Sequence, residues 1–141
     1  MLRIEYRKLH RPNGLIDDFV IYGLPIDYLA FAAILEAAIN SQKAETVRTA
    51  SLIQIEILSD SEQTELFTSL QNRDDFYSSM ADWEQRNILR IFGDRAVLEA
   101  FRLFLIDLSV RGDGYSYISE FSKEFGYSTS SPQWRFHIQP T

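Results

Sequence analysis

Two stretches of this 141-residue chain, seventy positions apart, carry the same punctuation. Ile21-Tyr22-Gly23 falls on Ile91-Phe92-Gly93, and Ala30-Phe31 and Leu35 fall on Ala100-Phe101 and Leu105, five identities over twenty positions. In each stretch an alternating apolar run ends at a glycine and gives way to a long helical pattern. Glycine permits the sharp turn because it has no Cβ to obstruct it, and the ring and leucine that follow can anchor the helix to a sheet. The similarity reads either as an internal strand–helix–strand repeat or as two unrelated units obeying the same local rules. Both readings lead to an α+β fold: a mainly antiparallel sheet of five to six strands with two long helices packed on one face.

The remaining elements follow from period. Leu2 to Lys8 alternates Leu2, Ile4 and Tyr6 with Arg3, Glu5 and Arg7, a half-buried strand. Arg11-Pro12-Asn13-Gly14 is a turn, and Ile16 to Tyr22 returns as the second strand of a hairpin. A helix starts at Pro25, with Asp27 complementing its dipole, and runs to about Ser41; it is apolar nearly all round and so is expected to be largely buried. Ser51 to Leu58 is a third strand. Ser61, Glu62, Thr64 and Glu65 open a short helix to about Leu70. Arg86 to Phe92 is a fourth strand, Asp94 to about Val110 a second long helix, Tyr115 to Phe121 a fifth strand, and Trp134 to Ile138 a sixth. One domain over residues 1–141 is expected, since a chain of this length buries enough surface to need no disulfide or metal.

Composition removes several functions. There is no cysteine, which excludes disulfides, thiol nucleophiles and thiolate metal sites. Fourteen basic against twenty acidic residues disfavour nucleic acid and anionic membrane surfaces as direct partners. No apolar run approaches the roughly eighteen residues of a membrane span, and no signal core opens the chain, so a cytoplasmic protein is expected. No phosphate-binding glycine loop and no nucleophile elbow occur. Gly112 and Gly114 follow the second long helix and read as helix-end glycines. The carboxylate pair Asp17-Asp18 sits in a strand, where neighbours point to opposite faces, and no calcium-loop pattern surrounds Asp74-Asp75. No catalytic residue, metal site or cofactor is expected.

The charge is unevenly placed. Between Glu56 and Glu84 lie eight carboxylates against Arg73 alone, a net charge of −7, so the remainder carries +1 of the overall −6. The same stretch holds Phe67, Phe76, Tyr77, Met80 and Trp83. Rings ringed by charge have the composition of a protein-binding hot spot, the rings supplying desolvated area and the carboxylates steering a basic partner. Asp74, Asp75, Phe76, Tyr77, Asp82, Trp83 and Glu84 are the candidate partner-binding residues. The competing reading makes Phe76, Met80 and Trp83 the buried stripe of a short helix, its acids facing water.

The function that follows is a non-catalytic module that binds, or inhibits, a basic protein. An immunity-type inhibitor guarding a bacterium against a toxin enzyme would have this size and charge, its carboxylates imitating the phosphates such an enzyme expects. The alternative is a small-molecule binding or enzymatic domain with a pocket between sheet and helices, using His137 or His10 with Glu5, Glu120 or Tyr117. The two histidines would approach each other if the terminal strands paired. On the second long helix Val97, Phe101, Phe104, Leu105 and Leu108 form one apolar face, and Leu103, Ile106 and Val110 extend round the opposite side, a surface for a homodimer.

Overall fold

The computed structural model describes residues 1–11, 14–41, 43–59, 77–79, 88–93, 95–117 and 133–140. Its elements are β1 (Arg3–Arg11), β2 (Gly14–Gly23), α1 (Pro25–Ser41), β3 (Glu45–Val47), β4 (Gln54–Ser59), β5 (Tyr77–Ser79), β6 (Ile88–Gly93), α2 (Arg95–Arg111), β7 (Gly114–Tyr117) and β8 (Gln133–Ile138). The expected short helix from Ser61 to Leu70 lies outside the described residues, as do Asp94 and the far end of the strand expected to reach Phe121.

The α+β class holds, but the sheet is not single. Among the described residues eight strands form two four-stranded sheets, sheet A in the order β1-β2-β8-β7 and sheet B in the order β3-β4-β6-β5. Four of the pairings are antiparallel; the central pair of each sheet, β2 with β8 and β4 with β6, is parallel. Two strands beyond the expected six are the three-residue edge strands β3 and β5, too short to display a period. Each sheet joins an antiparallel pair that precedes one helix to a pair that follows the other. Sheet A takes β1-β2 from before α1 and β7-β8 from after α2; sheet B takes β3-β4 from after α1 and β5-β6 from before α2.

Alternation decides which face of each strand is inward. Phe19 and Ile21 of β2, Ile55 and Ile57 of β4, Leu89 and Ile91 of β6, and Trp134 and Phe136 of β8 are all fully buried. They join Phe31 and Leu35 of α1 and Phe101, Leu105 and Leu108 of α2 in one cluster. The helices meet at Phe31 and Phe101, whose rings stand edge to face 5.7 Å apart. Phe101 and Phe104 also rest on Phe136, at 6.0 and 5.6 Å.

Helix α1 is not buried all round. Tyr28, Phe31, Ala32, Leu35, Ala38 and Ile39 face the core, while Ile26 and Leu29 are 67% and 47% exposed and Ala30, Ala33 and Ala37 are exposed with them. Alanine is at home on either side of a helix, so the run of alanines disguised which side faced inward. The Tyr28 hydroxyl donates to the carbonyl of His137 at 2.5 Å and lies 3.3 Å from that of Ile21, pinning α1 to the seam between β2 and β8. Burial, followed by the charge of Asp27, drives its ionisation far above the ordinary range. Gly23 sits where the chain turns from β2 into α1; a Cβ there would press within 2.6 Å of Leu2 Cδ2.

The sheets are joined at the loop between β3 and β4. Thr49 Oγ1 donates to the carbonyl of Ile53 at 2.6 Å, its amide donates to Gln54 Oε1 at 2.6 Å, and Gln54 Nε2 donates to the Ser51 carbonyl at 2.7 Å. This self-bonded loop then reaches β1: the Ala50 amide donates to Leu2 O at 2.8 Å and the Ile4 amide to Ser51 Oγ at 2.9 Å. Part of the exposed edge of β1 is thereby satisfied, which such an edge otherwise leaves open to unwanted pairing.

Candidate functional site

Sheet A turns a row of planar groups away from the core. Arg3, Tyr22, His137 and Tyr115 lie in register across all four strands. The Arg3 guanidinium carbon stands 4.4 Å from the centre of the Tyr22 ring. His137 is sandwiched between Tyr22 and Tyr115, with ring centres at 5.2 and 5.4 Å and planes within 27° and 25°. Both faces of the imidazole are thus taken, and only ring edges can meet a ligand. That geometry differs from a nucleic-acid-binding sheet, where rings offer open faces for bases to stack on.

The next row, Glu5, Val20, Arg135 and Tyr117, is set by the same registers. Beyond it Arg7 Nη2 bonds Asp18 Oδ2 at 2.9 Å, with the Asp18 side chain only 3% exposed. The middle of this face is shielded from water although it points away from the helices: Val20 is fully buried, and His137 Nε2 and Arg135 Nε are buried with no hydrogen-bond partner among the described residues. His137 titrates below the usual histidine range because of its burial and the positive charges of Arg135 and Arg7, so it is a neutral imidazole at pH 7. Its hydrogen-bonding edge is poised next to cations rather than next to a carboxylate. Tyr22 Oη, not His137, reaches Glu5, at 3.3 Å.

His137 is on the face of sheet A opposite the helices, not in a pocket between them, and Glu5 is separated from it by Tyr22. His10 does not approach it. β1 and β8 are not paired; β2 lies between them, and His10 pairs in register with Leu15, seven residues along β1 from Arg3, or roughly 23 Å at strand rise. Tyr117 pairs with Arg135, and Glu120 is outside the described residues. Among the described residues no three histidine or carboxylate side chains gather as they would to hold a metal ion. Gly112, at a φ of 78°, ends α2, its amide bonding back to the Leu108 carbonyl at 3.4 Å, whereas Gly114, at a φ of 91°, opens β7 rather than closing the helix.

The second candidate is on sheet B. A groove of about 260 Å³ is lined by Thr46, Leu52, Gln54, Ile55, Glu56 and Ile88. Its apolar wall includes Leu52, the most exposed large apolar side chain described, at 89%. Its acid is Glu56, the first carboxylate of the acidic stretch. Gln54 also belongs to the bonded β3–β4 loop, so one wall of the groove is rigidly placed.

Of the candidate partner-binding residues, Tyr77 begins β5, the edge strand of sheet B. Asp74, Asp75, Phe76, Asp82, Trp83 and Glu84 lie outside the described residues, and so do Met80 and the helical stripe that would compete with the binding reading. No family model, no curated protein and no solved structure matches this chain. Among the described residues no helix is long and apolar enough to cross a membrane. The Leu52 groove was missed by the sequence reading because Leu52 and Ile88 are far apart in the chain and meet only through the parallel pairing of Gln54 with Ile88.

Proposed function

We propose that the protein is a non-catalytic binding module whose sheet B receives a basic protein partner, in the manner of an inhibitor that occupies a cationic site. The observation that carries this reading is the groove that combines Leu52 and Ile88 with Glu56. A lysine or arginine side chain has an apolar stem and a charged head, and a groove with an apolar wall and one carboxylate matches both parts. The eight carboxylates from Glu56 to Glu84 add a long-range attraction for such a partner, and they include Asp74 and Asp75, which precede β5 in the chain, and Asp82 and Glu84, which follow it. An immunity-type role against a toxin enzyme is one form this activity takes.

The test compares proteins captured from the source cell by the wild-type chain, by Leu52→Asp with Glu56→Lys, and by the triple reversal Asp74→Lys, Asp75→Lys, Asp82→Lys. The reading requires a basic protein that is retained by the wild type, lost from both variants and kept by a Tyr115→Ser control on sheet A. An unchanged set of captured proteins across all four would sink it.

We also infer that the two halves of the chain descend from one ββαββ unit. Both helices have 17 residues and begin seventy positions apart, each after a strand that ends in glycine. The pairing of Asp18 to Gly23 with Gln133 to Ile138 has its counterpart, residue for residue, in Ile88 to Gly93 with Gln54 to Ser59. Corresponding phenylalanines, Phe31 and Phe101, touch each other. A chain in which residues 1–70 are simply duplicated in tandem should fold with two helices and one cooperative unfolding transition; a collapsed, non-cooperative product counts against common descent.

A further inference from the structure

The outward face of sheet A holds charge as well as rings. Among the described side chains Arg3, Glu5 and Arg7 of β1, Asp18 of β2 and Arg135 of β8 share it, in places set by the strand registers. Four of these charges have partners. Arg7 Nη2 holds Asp18 Oδ2 at 2.9 Å, and Arg3 Nη1 stands 3.7 Å from Glu5 Oε1 while its guanidinium lies over the Tyr22 ring. Arg135 is left over: no carboxylate among the described residues pairs with it.

Burial sets Arg135 apart from other unpaired cations. Lys43, Arg48 and Arg95 are exposed, so water solvates their charge. Arg135 is half-buried, and its Nε is closed off from solvent with no hydrogen-bond partner. Arg102, half-buried like it, holds both carboxylate oxygens of Glu99. A cation that has lost part of its hydration and gained no counter-charge is costly, and an anion arriving from outside offsets that cost. The neighbouring side chain on the strand agrees. His137, two residues along β8 and therefore on the same face, has its Nε2 buried without a partner, and burial together with the charges of Arg135 and Arg7 keeps it neutral. The local field is positive on a chain whose net charge is −6.

We infer that Arg135 anchors a site for a small oxyanion, a carboxylate or phosphate group whose paired oxygens meet its guanidinium on the outward face of sheet A. The planar fork of arginine donors matches two oxygens on one atom, and the open terminal nitrogens are the end that such a group reaches. Tyr117, in register beside Arg135, and Tyr115, edge to face with it at 5.8 Å, flank the site on β7. A nucleotide does not suit it. Tyr22 is covered by Arg3 and His137, and His137 by Tyr22 and Tyr115, which leaves no ring face on the two central strands for a base. The inference is independent of the groove on sheet B.

Titration of the whole chain with inorganic phosphate and, separately, with acetate tests it, at constant ionic strength balanced by chloride and with the His137 imidazole followed by NMR. At least one anion should bind saturably and, by offsetting the charge of Arg135, move the His137 titration up toward its ordinary value. A response to phosphate alone marks a phosphoryl site and a response to acetate alone a carboxylate site, and either supports the inference. Arg135→Gln should raise the His137 titration with no anion present, weaken binding about tenfold or more and abolish the further rise. Arg135→Lys, which keeps the charge and loses the fork, should fall between the two. Arg48→Gln, at an exposed cation of the β3–β4 loop, should bind as the wild type does. A saturable response to neither anion overturns the inference. So does binding that survives unchanged in both Arg135 variants, or that Arg48→Gln weakens as much as Arg135→Gln does.

Discussion

Across sheet A, one row runs Arg3, Tyr22, His137, Tyr115; the row at the matching position of sheet B runs Tyr77, Phe92, Leu58. The strand order, the central parallel pair and the glycine at the end of the second strand are the same in both. The residue types are not. In sheet A the row is a cation and three rings stacked against one another, so its capacity for contact is spent internally. In sheet B the neighbouring surface leaves a groove with exposed Leu52 beside Glu56. A strand plan sets where side chains stand, and their chemistry then differs: stacked rings and a cation on sheet A, an exposed leucine beside a carboxylate on sheet B.

The comparison breaks most severely at what the sheets share. Phe101 is fully buried, contacts Phe31 and rests on Phe136. Phe101→Ala should cost about 3–5 kcal/mol in a urea titration, and amide exchange should accelerate in β2 and β8 and in β4 and β6 alike. Protection retained in either sheet would show that the core is divided. A smaller change is directed at sheet A alone. Tyr28→Phe removes the donor that satisfies the His137 carbonyl at 2.5 Å and should cost about 1–3 kcal/mol, with exchange rising first in β2 and β8. Equal acceleration in sheet B would mean that the helix, rather than the seam, carries the loss.

Acid separates the sheets more gently. His137 in the folded protein titrates below its ordinary 6.5, so below about pH 6.5 the unfolded chain binds the proton more readily and the folded state loses stability as pH falls toward the lowered value; above that window the contribution is constant. His137→Gln should flatten this part of the stability profile, measured by denaturant midpoints from pH 8 to 5. An unchanged slope would place the acid sensitivity elsewhere. The smallest effect belongs to sheet B: Leu52→Ala, at a position 89% exposed, should alter stability by no more than about 0.5 kcal/mol while weakening partner capture. Greater destabilisation would make Leu52 a packing residue and weaken the case for the groove.

Much of this fold is legible in local pattern. Pro25 and Ser41 bound α1 as expected, and the alternation of Leu2, Ile4 and Tyr6, of Ile53, Ile55 and Ile57, and of Trp134, Phe136 and Ile138 gives the strands and their buried faces. Three residues cannot show a period of two, so β3 and β5 were silent. Pairing between distant strands was silent as well, because nothing in the neighbourhood of Phe19 specifies that Trp134 will lie opposite it. The groove on sheet B depends on such a pairing, that of Gln54 with Ile88. The charge asymmetry, by contrast, needs only counting: eight carboxylates lie between Glu56 and Glu84 against Arg73 alone.

The exchange of antiparallel pairs between the two sheets also dictates the order in which a nascent chain can finish them. Sheet B needs nothing beyond Gly93, whereas sheet A holds β2 half-paired until β8, with the Tyr28 to His137 bond spanning 109 positions, has left the ribosome. Until then the inner edge of β2 has no neighbour, and loop closure over such a distance is slow. The interval between completing the first sheet and the second is when this protein is most exposed to a chaperone or to another unfinished copy of itself.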